Sequence, residues 1–234
     1  MTKPRSETSK FAPRDGVVIV TLGGSGAKAA AEISKALLDM GHKFGEAIGE
    51  RGAIVHAVVI DSNEEELNDV NNPDVVAMNE AGVTKILLHD EQQGENIRRM
   101  NLDKAAPEGA YANAKQDKAG CCAIPNVGRA RYFVQRQSTV AGRNPTMVLE
   151  GIAHSLISLN DDVTLGNAGD IIFIGGMHGG TGPVALDIAA DTVNAFNRIL
   201  ARGATKKQVT SRAFFLTSES SGLDPVRKVE VAEE

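Results

Sequence analysis

The sequence of 234 residues holds no tryptophan and few other aromatics, 2 Tyr and 7 Phe, so any core it builds rests on aliphatic side chains. Cysteine is almost as scarce. Its two cysteines, Cys121 and Cys122, are neighbours that could bridge only with strain, and the 5 His residues show no ligand spacing with them. That excludes a disulfide framework and leaves no metal site to assign; the pair reads as small apolar side chains. No stretch approaches the ~20 consecutive apolar residues of a membrane helix. The start, TKPRSETSKFAPRDG, is polar with two prolines, unlike a secretory leader. Residues 1–15 are therefore expected to be a disordered lead-in to a cytoplasmic protein. A net charge of -5 argues against a nucleic-acid partner. The local cluster Arg129, Arg131, Arg136 and Arg143 runs against that balance, and reads as phosphate counter-charge, partner contact or a solvated face.

Glycine is plentiful at 24 residues, and it clusters behind short β-branched runs. From Asp170 to Asp187 the chain reads DIIFIGGMHGGTGPVALD: an apolar run, a glycine turn, then Pro183 where a helix opens. A strand ending in such a turn leaves backbone N–H groups facing outward at a helix N-terminus, where the dipole favours negative charge. Gly179, Gly180 and Gly182 are the candidates to lie against phosphate, since a loop wrapped closely on an anion leaves no room for Cβ atoms. The Thr181 hydroxyl can donate to a phosphate oxygen or hold a metal-bound water. His178, in the same loop, either donates to phosphate or points to solvent with only its backbone in use. A tight turn that binds nothing is the plain alternative.

A second glycine turn lies near the N-terminus, in VVIVTLGGSGAKAAAEISKALLDMG from Val17 to Gly41. Val17 to Thr21 fits a buried strand, and Ala27 to Met40 has apolar residues at helical spacing up to Gly41, a C-cap candidate. Gly23, Gly24, Ser25 and Gly26 form the turn between them. Gly24-x-Gly26-x-x-Ala29 also satisfies the dinucleotide fingerprint, a weak signal by itself. A third element, Ala53 to Ile60, reads AIVHAVVI and ends at Asp61. At a strand end that acid either accepts from a ribose hydroxyl, coordinates Mg²⁺ through water, or caps the next helix with Glu64 completing a capping box. Finally AGRNP, Ala141 to Pro145, places Gly142 and Asn144 just before a proline-led helix running through Leu159.

Taken in order, GGSG after the first strand, Asp61 after the second, AGRNP before a helix and GGMHGGTGP after a further strand resemble the nucleotide-binding half of the tubulin and FtsZ superfamily. The resemblance covers Val17 to Ser218, and PNVGRARYF, Pro125 to Phe133, is similar to a glycine-arginine segment of divergent bacterial tubulin-like proteins. It implies a mostly parallel, Rossmann-like α/β sheet with helices on both faces, binding GTP or GDP with Mg²⁺ as an allowed companion. Gly23, Gly24, Ser25, Gly26, Gly142, Gly179, Gly180, Thr181 and Gly182 would hold the phosphates, Asn144 would assist near the γ-phosphate, and Asp61 would act through Mg²⁺ or ribose. It also implies self-association, or a tubulin-like partner subunit, and cytoskeletal filaments.

Several departures qualify the match. In the signature loop His178 stands for a glycine, Pro183 for a hydroxyl residue and Val184 for the last glycine. The stretch 70–138 is longer than the family's connection, charged and poor in large apolar residues, and is expected to be an insertion or interaction arm of a domain spanning 16–218. Residues 219–234 read as a polar tail, with Glu219 either near a ribose or solvated. The family's base-contacting helix and its acidic hydrolysis loop have no counterpart in these 234 residues. GTPase activity would therefore need a loop from another molecule, and no catalytic residue is assigned. Two other classes stand beside this one: an NAD(P)-dependent oxidoreductase, for which Gly24, Gly26 and Asp61 fit but no proton-transfer pair is evident, and a non-catalytic scaffold with a degenerate nucleotide pocket.

Overall fold

The structure is a computed structural model that describes residues 16–48, 53–88, 125–139, 144–158, 170–177, 181–202 and 210–216. In chain order the elements are β1 (Gly16–Leu22), α1 (Gly23–Asp39), β2 (Ala47–Ile48), β3 (Ala53–Asp61), α2 (Glu64–Asn68), α3 (Pro73–Glu80) and β4 (Thr84–Leu87). After these come α4 (Pro125–Gln135), α5 (Pro145–Ser158), β5 (Asp170–Gly176), a 3₁₀ turn (Gly182–Val184), α6 (Ala185–Arg202) and β6 (Thr210–Leu216).

The strands form one sheet in which β3 and β5 flank β1 in parallel, β6 extends β5 and β4 extends β3. Short β2 runs antiparallel to the start of β3, pairing Ala47 with Ile54. Leaving β2 aside, the order of the parallel strands is that of a doubly wound, Rossmann-like sheet, with the chain reversing its direction of travel at β1. The fold class read from the sequence is the one observed.

Alternation along the strands fills two cores. Val18, Val20 and Leu22 of β1 pack with Val58 and Ile60 of β3 and with Tyr132, Leu149, Ile188 and Phe196 from α4, α5 and α6. On the opposite face Ala57 and Val59 meet Ala27, Ala30, Ala31 and Leu37 of α1 and Val75 and Met78 of α3. Side chains of period two thus feed both layers, which is why the strands read as continuous apolar runs.

Three expectations change. Helix α1 begins at Gly23, not after Gly26, so GGSG is the first helical turn rather than a loop before it. Only Gly23 departs from helical backbone, with φ 68°, and a single left-handed glycine is enough to swing the chain from strand into helix. At the other end Gly41, with φ 76°, closes the helix as expected: its N–H reaches Leu38 O at 2.8 Å and the His42 N–H reaches Leu37 O at 3.0 Å, a Schellman cap.

Nor is the stretch 70–138 simply an arm. Its first part forms α3 and β4, with Val75, Met78 and Ile86 buried, and its last part forms α4, with Tyr132 and Val134 buried; residues 89–124, and with them Cys121 and Cys122, lie outside the described residues. The averaged composition is charged, which hid two short apolar segments. The arginine cluster also divides. Arg131 is fully buried, Arg136 pairs with Asp191 of α6 at 3.2 Å, and Arg143 is outside the described residues.

Candidate phosphate-binding crevice

Strand register sets the crevice. Leu22, the last residue of β1, pairs with Ile60 of β3 and with Gly175 of β5, so the three central strands end nearly flush. In open α/β sheets the crevice at the carboxyl ends, where strand order reverses, is the place ligands bind. Gly23 lies in that crevice against the second glycine turn: a Cβ on Gly23 would stand 3.4 Å from Thr181 Cβ and 3.9 Å from the Gly182 nitrogen. The two turns, far apart in sequence, therefore meet.

Several glycines are required by backbone proximity alone. A Cβ at Gly182 would overlap the Gly176 carbonyl oxygen. At Gly26 it would come within 2.9 Å of the Thr21 carbonyl carbon and 3.0 Å of Ile174 O, so this glycine lets α1 lie tightly on β1 and β5. At Gly175 it would meet Leu22 O at 2.9 Å. Gly24 differs, because the atoms it would strike belong to a side chain, the Glu66 carboxylate.

The polar floor of the crevice is built around Asp61. Its Oδ1 accepts from the Ser62 N–H at 2.6 Å and from the Thr181 hydroxyl at 3.1 Å, and Ser62 Oγ lies 3.2 Å from Thr181 Oγ1. Asp61 thus reaches past the end of β1 to the turn after β5. Its other oxygen, Oδ2, is buried without a hydrogen-bond partner among the described residues. Burial pushes the Asp61 carboxyl up to about 6, and the nearby Glu66 charge adds to that, against the opposing pull of the Ser62 N–H, the Thr181 hydroxyl and the Asn63 N–H. Arg131, from α4, donates through Nη1 to Ser62 O at 3.3 Å. A cation is thereby fixed beneath the same loop.

Asp61 is not the cap of α2. Asn63 takes that role, its side chain accepting from the Glu65 N–H at 3.1 Å, and Glu64 completes no box with Asp61. Asn144 is committed elsewhere: Nδ2 donates to Arg136 O at 2.8 Å and Ser138 O at 2.9 Å, while Oδ1 accepts from Thr146 and Met147 N–H at 3.0 and 3.3 Å. It tethers the end of α4 to the start of α5, and every hydrogen-bonding position of its amide is used, so nothing remains for a phosphate. Ser25 is half-buried in the first turn of α1. Gly142, His178, Gly179, Gly180 and Glu219 lie outside the described residues. The fold thus brings together Gly23, Gly24, Asp61, Thr181 and Gly182, adds Ser62 and Glu66, which sequence reading missed, and draws in Arg131, one of the cluster for which phosphate counter-charge was one reading. Ser62 and Glu66 stood in the acidic segment after β3, and Arg131 in PNVGRARYF, but neither segment betrays which strand end it faces.

Chemically, the arrangement offers N–H donors at a helix start, a left-handed glycine allowing close backbone approach, two hydroxyls, and a buried carboxylate with one oxygen to spare. A phosphate fits the first features, and a hydroxyl or divalent cation fits the last. By order and crevice this is a Rossmann-like α/β protein. No protein-family model and no curated protein matches the chain. Among solved structures, it is similar to the cell division protein FtsY from Thermotoga maritima, at 18% identity over 95% of this chain and 70% of that one, with a TM-score of 0.24. A likeness at that level carries no functional argument. Among the described residues no helix is long and apolar enough to cross a membrane.

Proposed function

We propose that the crevice binds a guanine nucleotide by its phosphates, in the manner of the tubulin and FtsZ superfamily that the glycine turns resemble. The observation that carries this reading is the meeting of Gly23 with Thr181 and Gly182 at the carboxyl ends of β1 and β5. The first turn of α1 would present N–H groups to the phosphates, and Thr181 would exchange its bond to Asp61 for one to a phosphate oxygen. The spare Oδ2 of Asp61 suits Mg²⁺ through water, which would neutralise charge on the phosphates when bound. Arg131, through Ser62 O, holds the strand-end loop in place. Hydrolysis calls for an acidic loop from a second molecule, so the monomer turns over slowly and activity rises with protein concentration, together with GTP-dependent sedimentation.

A second reading, NAD(P) binding, draws on the strand order, on Gly26 packing helix against strand, and on an acid at the end of the second parallel strand. The direction of Asp61 weighs against it. In a dinucleotide site that acid serves a ribose, whereas here it is drawn over β1 toward Thr181. Calorimetry with GTP, GDP, ATP and NAD, with and without Mg²⁺, separates the two. Guanine-selective binding supports the first and NAD binding the second; no heat with any purine triphosphate refutes the proposal.

A further inference from the structure

Helix α2 carries three successive acids, Glu64, Glu65 and Glu66, of which Glu66 lies against the first turn of α1. With Asn63 fixing the start of the helix, Glu66 extends over the first turn of α1: a Cβ on Gly24 would strike Glu66 Oε2, with Oε1 and Cδ each 3.1 Å away. A carboxylate therefore lies where the positive end of the α1 dipole attracts an anion. Glu66 is half-buried, and its carboxylate makes no hydrogen bond or ion pair to another described residue. It is free to leave. Asp61 is not: it is 3% exposed and tied through Oδ1 to Ser62 and Thr181, while its Oδ2 lies buried without a hydrogen-bond partner among the described residues. That orphaned oxygen is an independent sign that the crevice awaits a ligand.

We propose that Glu66 is a displaceable stand-in for phosphate: its carboxylate takes the anion seat over Gly24 in the ligand-free protein and swings out when a phosphoanion enters. The inference rests on the phosphate-binding reading above. A seat already flanked by the fixed charge of Asp61 cannot hold Glu66 and a polyphosphate together without strong repulsion. Bare anions are therefore disfavoured, and a nucleotide bringing its own divalent cation suffers less. Glu66 acts as a filter on what may enter.

The test uses the full chain and GTP, titrated calorimetrically in chelator and in Mg²⁺, with Glu66→Gln, Glu66→Ala and the control Glu65→Gln, whose side chain is exposed on the same helix. Both Glu66 variants are expected to bind GTP in chelator about tenfold or more tightly than the wild type, and to depend less on Mg²⁺. Glu65→Gln should stay within about twofold, which excludes a general charge effect. Equal or weaker binding by both Glu66 variants overturns the stand-in role while leaving the phosphate reading intact. A loss seen only in Mg²⁺ makes Glu66 a cation ligand and likewise overturns it. If wild type and variants alike bind no phosphoanion, the seat itself falls, and the filter with it.

Discussion

The two glycine turns that meet in the crevice use glycine differently. In the turn after β5, Gly182 is glycine because the Gly176 carbonyl oxygen occupies the space of a Cβ, and Gly175, still within β5, is glycine because Leu22 O does. In the turn after β1, Gly23 serves conformation with φ 68°, Gly26 serves close packing, and Gly24 faces only the end of a movable side chain. Gly182 of the second turn is thus locked by backbone, whereas the first keeps one glycine whose free space is filled by a carboxylate. Glycine that no backbone contact demands is the glycine most open to a ligand.

Substitution at the locked turn should have the largest effect. Gly182→Ala must displace the backbone at Gly176, and is expected to lower stability by more than ~3 kcal/mol or prevent folding, read as the urea midpoint. A Gly182→Ala protein of ordinary stability would break the contrast between the turns.

Asp61 ties the end of β3 to the turn after β5, and its removal should act in the opposite direction. Its carboxyl stands near 6 in the folded chain against an ordinary 3.8, so the folded state holds the proton more tightly. The contribution of Asp61 to stability is therefore greatest below the ordinary value and declines as pH rises from 3.8 to about 6, by up to ~3 kcal/mol. Asp61→Asn should abolish that decline, be more stable than wild type at neutral pH, and weaken nucleotide binding in Mg²⁺. Unfolding midpoints measured across this interval and at neutral pH check the first two outcomes, and calorimetry the third.

Gly26→Ala has two opposing terms. Alanine in a helix gains ~1 kcal/mol over glycine, but here the new methyl presses on Thr21 and Ile174 backbone atoms. A net loss of about 1–3 kcal/mol in thermal unfolding is expected. Gly24→Ala should be mildest, within ~0.5 kcal/mol of wild type, because Glu66 can turn aside. A large loss there would mean that Glu66 is held firmly.

Much of this architecture was legible in the sequence, and the reasons are local. β1, β3 and β5 are dense in β-branched residues, and parallel strands covered on both sides need nothing else to declare themselves. Gly41 announced the end of α1 through its left-handed cap. What stayed hidden depends on distant partners. β4 is four residues long inside a charged stretch, and only its pairing with β3 makes it a strand. Asn144 stood at a helix start in either reading, but that its amide is consumed by Arg136 and Ser138 follows from the packing of α4. Asp61 was visible as an acid at a strand end, while its turn toward Thr181 was not, since that direction is decided by a residue more than half the chain away. Glu66 was one acid among three, and only the position of α2 over α1 singles it out.

The central place of β1 also shapes how the chain must assemble. Val17 pairs with Val55 on one side and with Asp170 on the other. As the polypeptide leaves the ribosome the first partner arrives early, yet the opposite edge stays bare until β5 has been made. During that interval an apolar, unprotected strand edge is exposed to other chains. Slow synthesis between the two halves would lengthen the risk of aggregation.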